Sequence, residues 1–297
     1  MKKTIYILLV TSLVLGACSK NSDNSIEIEG TILKEIRTYK INFPTSSDQD
    51  NEVLFSTDIF IEAGNTVLFE KTVDASGNTR LQYSYNENDQ LIEVNARIYT
   101  GSIQKITFQY ESDGRIASTH VELDNIITNT RFEYDNNTIR GYDATNNLRY
   151  IYTFNDQNKI ESSRSFNESL NEYFEKTYTY NASNLLSSIS SKKYRFNSTQ
   201  EVFVELTDFA NTTDYEYQTD IANPSYEAQN SVYLNAILAR LEFGANPSSQ
   251  HVSRFRLLGY SSFILNYDDF IIQSNGLTTE AVVSSNTTSR RIKYYYE

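Results

Sequence analysis

Few side chains in this chain have the types and spacing that chemistry requires. There are two histidines, His120 and His251, in 297 residues. Neither has a second His or a Cys at metal-ligand spacing, so the sequence predicts no metal site. Asp48-x-Asp50-x-Glu52 has the alternating carboxylates of a calcium loop. The glycine that such a loop needs at its sixth position is Val53, and the segment reads as a solvated acidic loop. His120 stands between Thr119 and Val121 and reads as an ordinary strand residue. No Gly-x-Ser-x-Gly elbow and no phosphate-binding loop occur. Carboxylate pairs for glycoside hydrolysis are bound to arise among 38 acidic residues, while the lack of Trp disfavours sugar stacking. The expectation is a protein with no catalytic residues and no cofactor.

The residues that recur are aromatic. There are 23 tyrosines and 16 phenylalanines. Five aromatic-x-aromatic triplets are each followed by a polar patch and then Leu or Ile: Tyr83/Tyr85, Phe108/Tyr110, Phe132/Tyr134, Tyr152/Phe154 and Tyr178/Tyr180. Their second aromatics are 25, 24, 20 and 26 residues apart. A period of that size marks one supersecondary unit repeated. In a strand both rings of a triplet point to the same face. The patches are rich in Asn, Asp and Ser, which satisfy a turning backbone with their own side chains. After the first patch, Ile92, Val94, Ala96 and Ile98 alternate with polar residues as a return strand. Each unit therefore reads as a β-hairpin and five in a row as an antiparallel meander. The ten aromatics are its structural anchors.

Tyr110-Glu-Ser-Asp113-Gly114-Arg115-Ile116 resembles the YD repeat of RHS-type proteins, Tyr-Asp-x-x-Gly-Arg-Leu, and Tyr134-Asp135 keeps the leading pair. The likeness spans residues 81–194. It implies the hairpin as fold element. The shell that large RHS proteins wind around a toxin needs far more than five hairpins.

The chain opens with Met-Lys-Lys, an apolar run from Ile5 to Leu15, and Leu15-Gly16-Ala17-Cys18. A basic start, a short apolar stretch and a small-residue cleavage site make a secretory signal over residues 1–17. The run is shorter than the roughly 20 residues that span a bilayer. Cys18 is the only cysteine, which excludes disulfides within the chain. The four residues ending at Cys18 resemble the lipobox of bacterial lipoproteins. That resemblance implies cleavage between Ala17 and Cys18, lipidation of Cys18, and, with Ser19 following rather than Asp, a destination in the outer membrane of a Gram-negative bacterium, periplasmic or surface-exposed. Residues 18–25 read as a polar, lipidated tether.

Residues 26–297 read as one β-rich domain, with no Pro- or Gly-rich linker to divide them. One helix is expected at 231–242, where Tyr233, Leu234, Ile237, Leu238 and Leu241 form a helical stripe. Asn275-Gly276 signals a hairpin. The terminal Ile292, Tyr294 and Tyr296 fall on one face of a last strand. The order of these parts looks like a group of secreted lipoproteins with YD-like repeats. The fold class is all-β, a large curved antiparallel meander with one helix.

Net charge is −12 over the chain. Without Lys2 and Lys3 the balance is 24 basic to 38 acidic residues, a field that repels nucleic acid. The leading expectation is a non-enzymatic outer-membrane lipoprotein that binds a partner or supports the envelope. The membrane is reached through the lipid anchor; the partner is a protein, a glycan or an apolar small molecule. The second is a carrier with an apolar ligand between the curved sheet and the helix. An apolar, enclosed concave face would favour the carrier, and a glycan hydrolase comes third.

Overall fold

Four of the five polar patches fold as five-residue turns, while Asp135 pairs directly with Thr138 and leaves a two-residue turn. Asn86 Oδ1 accepts the N–H groups of Asn88 and Gln90 at 2.9 and 3.0 Å. Asn155, Asn181, Asp143 and Asp74 repeat the pattern with the residues two and four positions on. The fourth residue of each turn is left-handed: Asp89, Asn158, Asn184, Asn146 and Gly77 have φ of 59°, 57°, 62°, 65° and 80°. Gly114 and Gly276 hold the same place in the turns 111–115 and 273–277. The Gly of the YD-like motif and the Asn that replaces it elsewhere thus answer one demand, a φ that only Gly and short polar side chains adopt at low cost.

The computed structural model describes residues 32–41, 52–63, 66–97, 101–223, 250–258, 263–285 and 289–297. The signal segment, the tether with Ala17 and Cys18, and the helix expected at 231–242 lie outside the described residues. The rest is almost wholly strand. In chain order the strands are β1 (Leu33–Ile41), β2 (Glu52–Ala63), β3 (Thr66–Asp74), β4 (Thr79–Tyr85), β5 (Leu91–Arg97), β6 (Ile103–Tyr110), β7 (Ile116–Leu123), β8 (Ile126–Asp135), β9 (Thr138–Tyr142) and β10 (Leu148–Phe154). They continue as β11 (Ile160–Asn167), β12 (Glu172–Tyr180), β13 (Leu186–Asn197), β14 (Val202–Glu205), β15 (Asn211–Ala222), β16 (Gln250–Leu258), β17 (Phe263–Ile272), β18 (Thr278–Ser284) and β19 (Ser289–Tyr296).

Every pairing is antiparallel, and successive strands pair as hairpins. The meander then closes on itself. β1 pairs with β2 on one side and with β19 on the other, in register from Glu35↔Tyr295 to Ile41↔Ser289. β13 pairs with β15 through Ser188–Ser191 and with the short β14 through Tyr194–Asn197. All strands except β14 therefore form one ring of eighteen. The expected curved meander is a closed barrel, which removes the open edges that a free sheet would expose.

Two local devices repeat around the ring. At the turn end of seven described hairpins the return strand carries a bulge: Tyr85 faces Leu91 while Ser84 faces Glu93, leaving Ile92 unpaired. Arg80, Ala117, Arg149, Glu161, Ser187 and Thr279 are skipped in the same way. The bulge ends the expected alternation. Leu91 and Val94 are buried, while Ile92 is turned out of that set and exposed. The second device is a tyrosine clasp. Tyr110 Oη donates to Leu91 O at 2.7 Å, Tyr134 to Ile116 O, Tyr180 to Ile160 O, Tyr217 to Leu186 O and Tyr296 to Thr278 O. Each acceptor is the first residue of the neighbouring strand. Tyr85 reaches Phe69 O instead. Phe154 has no hydroxyl, and there the main chain bonds, from Phe154 N–H to Asn137 O at 2.8 Å.

Four of the five anchors that were first in their triplets are buried, Tyr83, Phe108, Phe132 and Tyr152 at 3–5 % exposed, while Tyr178 is half-buried. The four buried anchors join Leu33, Ile36, Phe60, Phe69, Val94, Ile106, Ile139, Tyr150, Ala281 and Tyr294 in one apolar cluster that follows the wall from β18 round to β10. In a closed ring the face that is buried is the inner one. Gly141 leaves room for it, since a Cβ there would stand 3.0 Å from Tyr150 and 3.1 Å from Phe132. A circular ring of eighteen strands would be roughly 27 Å across, wide enough to leave inner side chains wet. Val94 and Ile106 are 0 % exposed, so the inside is filled along these strands and forms a core rather than a channel.

Candidate functional site

Most sequence-derived candidates are structural. His120 is on the outward face, with Nδ1 2.7 Å from Asn129 Oδ1. His251 lies on β16 opposite Gln218. Asp48 and Asp50 are outside the described residues. Glu52 opens β2 and is held by Arg291 at 2.6 Å and Lys293 at 2.9 Å. Asp58, on the inward face, accepts Thr72 Oγ1 at 2.6 Å, and burial pushes its carboxyl up from the usual range. Among the described residues no three His, Cys, Asp or Glu side chains converge on a point that could hold a metal.

A different region concentrates unsatisfied surface. Along β11 to β14 the inner face changes from apolar to polar: Ser163, Ser165, Glu172, Lys176, Ser191, Lys193 and Arg195 share it by register. Glu172 is 2 % exposed. Its carboxylate meets Lys193 Nζ at 2.6 Å and Arg195 Nη2 at 2.5 Å. Lys193 and then Arg195 hold it below the usual carboxylate range against the opposing effect of burial. The Lys193 ammonium lies over the rings of Phe174 and Phe209, at 5.1 and 4.6 Å. Phe174, Phe209 and Val204 are nevertheless 42 %, 48 % and 41 % exposed.

The outer face of the same strands carries a second aromatic group. Tyr173 and Tyr194 stack across β12 and β13 at 4.7 Å. Phe166 leans on Tyr173 at 5.7 Å, Phe203 meets Tyr173 edge-on at 5.0 Å, and Phe196 meets Phe203 at 5.3 Å. Ion pairs Arg164–Glu175 at 2.6 Å and Lys192–Glu205 at 2.9 Å flank the group. Burial, reinforced by Glu175, pushes the Tyr173 and Tyr194 phenols up. Phe196 and Phe203 remain well exposed, as does Leu170 in the short turn before β12, while Val202 is exposed on the inner face beside Val204.

The cause is length. β13 runs for 12 residues, and its far half outlasts its contact with β15. Only the four-residue β14 covers it there. The result is a flange that extends the wall, with large apolar side chains exposed on both faces. Sequence periodicity missed it. Tyr194-Arg-Phe196 is another aromatic-x-aromatic triplet, but it falls outside the 20–26-residue period, and its rings take the outward face. That change of face, followed by Val202-Phe-Val204, was the available signal.

No family model and no curated protein matches the sequence. Solved structures resemble the chain over most of its length. A porin-like protein from Bacteroides uniformis is 14 % identical, with 89 % of this chain and 98 % of that chain covered and a TM-score of 0.32. A porin-like protein from Bacteroides vulgatus is 12 % identical, with 90 % and 99 % covered and a TM-score of 0.36. At those scores the architecture rests on the ladder pairings above. Face polarity adds a physical distinction. A membrane-spanning barrel is apolar outside and polar within. Here the apolar cluster is inside, and Glu93, Lys105, Arg131, Glu133, Arg164 and Glu175 point outward on β5, β6, β8, β11 and β12.

Proposed function

We propose that this protein is a non-enzymatic lipoprotein of the Gram-negative outer membrane, held by lipid on Cys18, whose barrel presents the β11–β14 flange to a partner. The observation that carries the binding role is the flange. A soluble wall ordinarily hides large apolar side chains, and a contiguous exposed group rimmed by ion pairs marks an interaction site. Here Phe174, Phe196, Val202, Phe203, Val204 and Phe209 are all more than a third exposed within one short stretch. Outward-facing charge on the remaining strands supports a domain that stands in water on its tether rather than within the bilayer. The carrier reading has less support, because the apolar inner face is filled from β18 round to β10.

Two measurements test this reading. Cys18→Ser is expected to move the protein from the membrane fraction to the soluble fraction, and retention as firm as the parent's would refute the anchor. A photo-crosslinking residue at position 203 is expected to trap a discrete partner in cells, while the same probe at Asn129, on the outward face of β8, traps none. Equal labelling at both positions, or none at 203, would refute the flange as the binding surface.

A further inference from the structure

Among the described residues, cross-strand charges in this barrel are complementary with one exception that lacks compensation. Arg164 faces Glu175, Glu133 faces Arg140, Glu280 faces Lys293 and Lys105 faces Glu122. Lys40 on β1 faces Arg290 on β19. Like charges directly opposite on a ladder are destabilising. Arg37 and Lys293 also face each other, but each has a carboxylate of its own, Glu35 at 2.7 Å and Glu52 at 2.9 Å. Lys40 and Arg290 have none among the described residues. Instead both lie over one ring, that of Phe55, at 4.8 and 4.5 Å from its centre. The two charges are therefore within about 9 Å of each other.

Their position is as telling as their pairing. Register places Tyr267, Val283, Arg290, Lys40 and Val53 in one row across four ladders. Lys40 and Arg290 each stand four residues from a buried residue of the same strand, Ile36 and Tyr294, and that even spacing puts the row on the inward face. The described carboxylates of the flanking strands β2 and β18 are committed elsewhere. Glu52 points outward to Arg291 and Lys293, Asp58 accepts from Thr72, Glu62 pairs with Lys34 and Glu280 with Arg291. The chain as a whole is acidic, at −12, yet two cations are kept exposed and side by side here.

We propose that Lys40, Arg290 and Phe55 form a binding site for a phosphate group at the inner rim of the barrel. A guanidinium offers a planar fork of donors to two phosphate oxygens, and an ammonium adds a compact point charge. A dianion between them turns the like-charge repulsion into attraction on both sides. Phe55 orients the two cations and supplies an apolar wall for whatever the phosphate is attached to. The site is remote in sequence from the flange and stands or falls independently of it.

The test is isothermal titration of the detergent-solubilised full chain with inorganic phosphate at constant ionic strength, with acetate as comparison. Saturable binding of phosphate, tighter than acetate, is expected. Lys40→Gln and Arg290→Gln are each expected to weaken it at least about tenfold, and the double variant to abolish it. Lys40→Arg keeps both charges and should keep binding, which guards against loss through misfolding. Arg131→Gln, which removes an outward cation on β8, should change nothing. No saturable binding, binding that survives in the double variant, or tighter binding of acetate would overturn the assignment. Melting without phosphate gives a second readout. Relief of repulsion predicts that the single glutamine variants melt at or above the parent temperature, whereas cations that merely prop Phe55 would lower it.

Discussion

Tyr110 donates its hydroxyl to Leu91 O at 2.7 Å, and the same bond recurs on β8, β12, β15 and β19. Each satisfies a strand-end carbonyl where a hairpin begins. A neutral bond of this kind contributes roughly 1 kcal/mol net. Tyr110→Phe is therefore expected to destabilise by about 1 kcal/mol in denaturant titration without changing the fold, as the natural Phe154 implies. Alkaline pH should act on the clasps of Tyr85, Tyr134, Tyr217 and Tyr296. Burial is the main cause that pushes the Tyr134 phenol up to about 12, and the phenols of Tyr85, Tyr217 and Tyr296 are raised likewise. The unfolded state would lose its phenolic protons near pH 10. The native state binds them more tightly, so stability is fully present below pH 10 and falls as pH rises from there through about 12. The phenolate absorbance of these buried tyrosines should consequently appear with unfolding, in one cooperative step; their titration near pH 10 in a folded barrel would contradict this.

At the scale of the element, the turn decides the hairpin. Asn158 has φ of 57° and closes the turn from Asn155 to Lys159. Left-handed backbone costs an ordinary L-residue roughly 1–2 kcal/mol, and a β-branched one at least that. Asn158→Val is expected to destabilise by about 1–2 kcal/mol, while Asn158→Gly should be neutral or slightly stabilising. Thermal melts of the two variants check the pair, and an equal loss in both would show that the Asn side chain rather than the backbone angle matters. The flange obeys other rules. β14 follows Glu201, itself left-handed at φ 55°, and its ladder to β13 is four residues long. Its stability comes from aromatic contacts with Phe196 and Tyr173 and not from a repeated turn.

For the whole molecule, closure is the decisive event. β19 joins β1 across almost the full length of the chain, from Ile41↔Ser289 to Leu33↔Tyr296. Contacts so distant in sequence form only after the loop-closure entropy has been met, so the ring should close late in folding. Deleting residues 290–297 removes the strand that seals it and strips partners from both β1 and β18. The truncated protein is expected to melt several degrees lower or to fail to fold, and to be cut by protease in β1 and β18 first. An unchanged melting curve would mean that the ring stands without its closing strand.

The hairpins were legible in the sequence for a physical reason. An aromatic-x-aromatic strand and an Asn- or Asp-closed turn are local, each set by contacts within about ten residues, and they repeat. The last strand could be read from Ile292, Tyr294 and Tyr296 because period 2 is enough to show one buried face. The bulges at Ile92, Ala117, Glu161 and Ser187 were not legible, since skipping a residue depends on the partner strand and leaves no mark of its own. Closure was not legible either. The alternation of β1 and β19 is the same in an open sheet as in a ring, and only the register between them distinguishes the two. Both candidate sites depend on that distinction. Lys40 and Arg290 are 250 residues apart and meet only because the barrel closes, and the Tyr194–Phe196 triplet stands outside only because β13 outruns its neighbour. Sequence alone determined the repeated unit and its turn chemistry, through short-range sterics and hydrogen bonding. Tertiary structure decided which face is inside and which distant charges become neighbours, because those follow from how the strands join and not from any strand by itself.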